Sequence, residues 1–170
     1  VLKAMREERI SKLKQQRQEL EENIAKGHGQ YTEIVEDEFL PSVTKTKFCV
    51  VHFYHQDFER CKIVDHHLKQ IAPKHMECKF MTMNAEKCPF FIAKLQIQVL
   101  PTIVCFMDGI ACDRIVGFEE LGGKDEFPTL LLARRLVNAG VCKALNAAEK
   151  GQMKLNRKGR GERDASDDDY

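Results

Sequence analysis

The sequence predicts an α/β domain of three layers, a central mixed sheet with helices on both faces. Three observations predict it. Apolar runs of strand length alternate with stretches of helical period, in the order βαβαβαββα. One run, Phe-Cys-Val-Val-His-Phe-Tyr at 48–54, is apolar nearly throughout, as expected of a strand covered on both faces. Asp108-Gly109 separates two further apolar runs and is a strong hairpin signal. At 170 residues and 43% hydrophobic, the chain suffices for one core.

The elements follow in order. Residues 1–26 are charged and free of Gly and Pro. Ile10, Leu13, Leu20 and Ile24 fall on a seam of 3–4 spacing in which Arg17 fills one slot. This predicts a helix that lies either on its own domain or on a partner, stopped by Gly27. Residues 27–30 form a glycine hinge whose His28 packs or caps locally. Residues 31–35 predict a short strand, and 37–43 a short helix broken near Pro41. After the strand at 48–54, a helix spans 58–72 and stops at Pro73. Its inward face is Cys61, Val64, Leu68 and Ile71. A strand at 79–83 and a short helix at 89–95 precede the hairpin strands 102–107 and 110–116. A last amphipathic helix covers 125–137. Crossover helices imply parallel strands, closed by one antiparallel hairpin. The domain is assigned to 31–142.

Composition narrows the function. Lys+Arg number 27 and Asp+Glu 26, a net charge of +1, so no global field exists to hold nucleic acid or an anionic surface. No run approaches the ~18–20 apolar residues of a membrane span. No secretory apolar segment opens the chain, and since it begins at Val1 a preceding stretch is expected. Seven cysteines, an odd number partly inside apolar runs, suit a reducing compartment: cytoplasmic, with nuclear presence open. None is spaced as C-x-x-C, no Cys/His cluster has zinc spacing, and His66 and His67 diverge by roughly 100° on a helix, so neither metal nor cofactor is expected. Residues 143–170 are expected to be a disordered tail, basic then acidic. The basic run could serve nucleic acid or an import receptor, against a solubilising role. Ser166, followed by three aspartates, is a candidate phosphorylation site.

The element order, with Val99-Leu100-Pro101-Thr102 entering the hairpin, resembles the thioredoxin fold over residues 31–140. That resemblance implies a cis bond before Pro101. Thioredoxins read Phe-Trp-Ala-x-Trp-Cys-Gly-Pro-Cys-Lys where this chain reads Phe53-Tyr54-His55-Gln56-Asp57-Phe58-Glu59-Arg60-Cys61-Lys62. Phe58 stands at the nucleophile's position, Cys61 at that of the resolving thiol, and His52 at that of the buried proton-accepting aspartate. Dithiol exchange needs both thiols, so no enzyme is expected. The alternative is a monothiol redox protein using Cys61.

Three further motifs sharpen the resemblance: Gly27-His28-Gly29-Gln30-Tyr31-Thr32-Glu33-Ile34, Cys61-Lys62-Ile63-Val64-Asp65-x-His67-Leu68, and Gly117-Phe118-x-x-Leu121-Gly122-Gly123-Lys124-Asp125-x-Phe127. With the acidic tail, they are similar to the third class of phosducin-like proteins. The resemblance implies a monomeric, non-catalytic co-chaperone that binds the cytosolic chaperonin and tunes folding of actin- and tubulin-type clients. Candidate partner-binding residues are Ile10, Leu13, Arg17 and Leu20 on the first helix, and Glu59, Arg60 and Lys62 at the former redox corner beside Pro101.

Overall fold

A computed structural model describes residues 1–143. The predicted tail, Ser166 included, lies outside the described residues apart from Lys143. The elements are α1 (Leu2–Ala25), β1 (Tyr31–Glu33), α2 (Glu36–Lys45), β2 (Phe48–Tyr54), α3 (Glu59–Ile71), β3 (Lys79–Asn84), α4 (Pro89–Lys94), β4 (Thr102–Met107), β5 (Ile110–Val116) and α5 (Thr129–Asn138). The five strands form one sheet in the order β1-β3-β2-β4-β5. Here β1 and β2 flank β3 in parallel, as crossover helices require. The hairpin is antiparallel, but so is the β2–β4 pair, where the sequence reading had confined antiparallel pairing to the hairpin. No helix is long and apolar enough to cross a membrane among the described residues.

Alternation along the strands splits the core in two. Val50, Phe80 and Ile103 face α3 and α5, packing on Val64, Leu68, Leu132 and Leu136. Val51, Phe53, Met81 and Val104 face the other way, onto Phe39 of α2 and Phe91 of α4. Fully burying each such side chain is worth ~1.5–3 kcal/mol, which explains why β2, central and covered twice, carries so little polarity.

Two helices depart from the sequence reading. Pro41 lies inside α2, which runs unbroken. Proline removes one amide donor, and the carbonyl it leaves is that of Asp37, an exposed residue. Phe39 and Val43 are buried one turn apart and hold the helix to the sheet. The last helix begins at Thr129, four residues later than expected, because Pro128 keeps Phe127 out of helical geometry. Phe127 instead stacks on His67, 4.3 Å between centroids, and meets Phe118 edge-on at 5.3 Å.

The helix α1 buries none of its 24 residues. It ends in a Schellman cap: His28 N–H donates to Asn23 O at 2.9 Å and Gly27 N–H to Ile24 O at 3.0 Å, with Gly27 at φ +94°. Residues 27–30 then form an anchored turn. His28 is buried and its Nδ1 lies 2.7 Å from Met76 O. At Gly29, φ is +86°, which favours glycine, and a Cβ would come within 2.6 Å of Met76 Sδ, so the Met76 side chain would have to shift to admit one.

Candidate functional site

The turn from β2 into α3 carries the positions singled out above. Phe58 is the N-cap of α3, extended at φ −97°, ψ 111°. It offers no side-chain acceptor to the helix amides, and its ring is 45% exposed, stacked on His55 at 4.8 Å. The Asp57 N–H donates to His55 Nδ1 at 3.1 Å. The ring proton therefore sits on Nε2, which donates to Glu86. This corner is fixed by hydrogen bonds and holds no nucleophile at the helix start.

Cys61, one turn into α3, is 1% exposed. Burial pushes its thiol up, only partly opposed by a backbone hydrogen bond near His55, and the negative charge of Asp65 adds to the rise. A thiol so placed is a poor source of thiolate. The Leu100–Pro101 bond is cis. Pro101 is buried, and its carbonyl accepts from Gly117 N at 2.9 Å.

The charged corner is engaged within the chain. Arg60 Nε donates to Asp125 Oδ1 at 2.9 Å, and its guanidinium lies over the Phe118 ring at 5.2 Å. Lys62 Nζ pairs with Glu59 at 3.1 Å on the same helix turn. Arg60 thus braces the loop before α5. On α1, Ile10, Leu13, Arg17 and Leu20 line one shallow, open surface along the helix. The structure groups these four and keeps them apart from the domain's own packing.

The structure adds a partly buried polar cluster that sequence spacing does not show. Tyr31 on β1 reaches across β3, and its hydroxyl donates to Asp65 Oδ1 on α3. His52 Nδ1 donates to the same oxygen at 3.0 Å and lies 2.9 Å from the Tyr31 hydroxyl. His52 is fully buried, and its Nε2 has no hydrogen-bond partner among the described residues. Burial alone would raise the Asp65 carboxyl, but the hydrogen bonds from His52 and Tyr31 outweigh it and hold the group below the usual carboxylate range. Burial, then the Asp65 charge, drives the Tyr31 phenol far upward. So His52, at the position of the thioredoxin proton acceptor, is bound into a structural contact between β2, β1 and α3.

A second cluster also escaped the sequence reading, which found no metal-type spacing. His75, Glu77 and Cys142 bring one ligand atom each within 4.8 Å of one another, although Cys142 follows His75 by 67 residues. Six of the seven cysteines are buried, and Cys112 is exposed.

The fold and this corner define a thioredoxin-domain protein, and the thioredoxin family model matches residues 30–135. Thioredoxin f from spinach chloroplast superposes with a TM-score of 0.56 at 19% identity, covering 65% of this chain and 87% of that one, a likeness of fold. The chain is 49% identical over 140 residues to phosducin-like protein 3 of Dictyostelium discoideum, covering 82% of this chain and 76% of that protein. It is 45% identical to thioredoxin domain-containing protein PLP3B of Arabidopsis thaliana and 40% identical to human thioredoxin domain-containing protein 9, and spans 61% and 62% of their lengths. The chain belongs to the phosducin-like proteins, third class, of the thioredoxin fold.

Proposed function

We propose that the protein is a non-catalytic co-chaperone that binds the cytosolic chaperonin as a monomer and modulates folding of actin- and tubulin-type clients in the cytoplasm. The observation that carries this reading is α1: 24 helical residues, none buried, with Ile10, Leu13 and Leu20 in an exposed row. Seating an exposed apolar row of a helix on a partner is a recurring mode of recognition, and although polar residues surround this row on every side, burying it supplies energy that α1 does not gain from its own domain. Phe58 at the helix start and the buried Cys61 support a binding rather than a redox role. The phosducin-like names of the relatives point the same way.

The test uses the full chain and purified cytosolic chaperonin. Leu13→Asp and Leu20→Asp alter exposed positions, so the domain stays folded. Capture of the chaperonin is expected to fall at least tenfold, and capture by the unaltered chain to weaken with salt as charges around the row are screened. Unchanged capture by both variants would overturn the assignment of α1.

A further inference from the structure

The end of the sheet away from the β2–α3 corner carries a grouping that no redox or partner-binding role uses. His75 and Glu77 precede β3, and Cys142 follows α5. One imidazole nitrogen, one carboxylate oxygen and one sulfur lie within 4.8 Å of one another. His75 and Cys142 are buried, and Glu77 is half-buried. We propose that these three side chains form a zinc site that clips the segment after α5 to the entry of β3.

The geometry is close to what the ion needs. Tetrahedral zinc with bonds of ~2.0–2.3 Å sets its ligand atoms roughly 3.3–3.8 Å apart, so each pair here closes by at most about 1.5 Å. Side-chain rotation covers that distance. The charges match as well: a thiolate, a carboxylate and a neutral imidazole present two negative charges to a dication. Sulfur and imidazole together disfavour calcium and magnesium, which take oxygen ligands. The fourth position is left to water, as in other zinc sites with three protein ligands.

The surroundings already orient the ligands. Glu77 Oε1 faces His75 Nδ1 at 3.2 Å and accepts from the Lys143 backbone N–H at 2.7 Å. The chain from 144 to 170 contains no Cys or His, so it brings no further thiolate or imidazole.

The experiment loads the metal-stripped full chain with cobalt(II) as a spectroscopic stand-in for zinc, then displaces it with zinc. Expected are one cobalt per chain, a thiolate-to-cobalt charge-transfer band in the near ultraviolet, and loss of that band on adding one equivalent of zinc. Cys142→Ser abolishes the band, whereas Cys112→Ser, at the exposed cysteine, keeps it. A second measurement needs no variant. One equivalent of zinc slows maleimide alkylation of Cys142 in the unaltered chain at least tenfold, read by peptide mapping, and leaves Cys112 unchanged. Magnesium gives no protection. Absence of both the band and the protection, or a band that survives Cys142→Ser but not Cys112→Ser, overturns the site.

Discussion

Replacing Asp65 with alanine tests whether the cluster beneath β2 is a structural fastening. The Asp65 carboxylate accepts from Tyr31 and from His52. Hydrogen bonds to a charged group contribute about 1.5–3 kcal/mol each. After the substitution Tyr31 and His52, already 2.9 Å apart, keep one neutral bond between them, which returns about 1 kcal/mol. The Asp65 side chain is also 28% exposed, so solvent screens part of its charge. The net loss for Asp65→Ala is therefore about 2–3 kcal/mol. At roughly 3–4 °C per kcal/mol for a chain of this size, Tm falls by about 6–12 °C. Thermal and urea unfolding of the full chain, followed by circular dichroism, measure it. Because Asp65 is held below the usual carboxylate range in the folded state, its contribution is full above the unfolded pKa and is lost as pH falls through the folded one. The difference between variant and parent should therefore shrink in acid. Tyr31→Phe completes a double-mutant cycle with an expected coupling of about 1 kcal/mol or more. A loss below about 0.5 kcal/mol, or strict additivity with Tyr31→Phe, would refute the reasoning.

Two other outcomes are expected. Phe58→Cys places a thiol at the exposed start of α3, where a thiolate is favoured, one turn from the buried Cys61 thiol. It should give detectable disulfide reduction in an insulin assay while the parent stays at background; robust turnover by the parent would refute the non-catalytic reading. His28 and His67 are held below the ordinary value of 6.5 by burial. Their neutral forms favour folding above that value, and the contribution is lost as pH falls below it. Urea midpoints measured from pH 7 to pH 5 should decline, and less steeply for His67→Gln.

Much of the fold was legible because it rests on local signals. Phe48–Tyr54, the Asp108-Gly109 turn and the period of Val64, Leu68 and Ile71 each report burial within a few residues of sequence. Pro41 misled because a proline usually breaks a helix, and only the tertiary anchoring of Phe39 and Val43 overrides it. Pro128 carried a local signal that the apolar periodicity around it masked. The exposed row on α1 was visible as spacing, whereas its freedom from the domain was not. The two polar clusters were illegible for a plainer reason. Tyr31, His52 and Asp65 meet only because β3 lies between β1 and β2 and α3 covers that face. His75, Glu77 and Cys142 meet only where α5 returns to the base of β3. Neither meeting leaves a trace in sequence spacing.

The mounting of α1 has a mechanical consequence. At 1.5 Å per residue its 24 residues make a rod about 36 Å long, with its root at one end. A tilt of about 10° at that root carries the tip roughly 6 Å. The root is clamped: His28 is seated against Met76, Gly29 closes on the same side chain, and Lys26 Nζ donates to Lys45 O at 3.2 Å. A pull at the tip is therefore delivered as torque to this clamp rather than absorbed in a swivel. Two residues on, Tyr31 passes the load through its hydroxyl into α3. The rod, the clamp and the cross-tie make a lever whose fulcrum is residues 26–31, so a displacement of the helix tip loads the sheet.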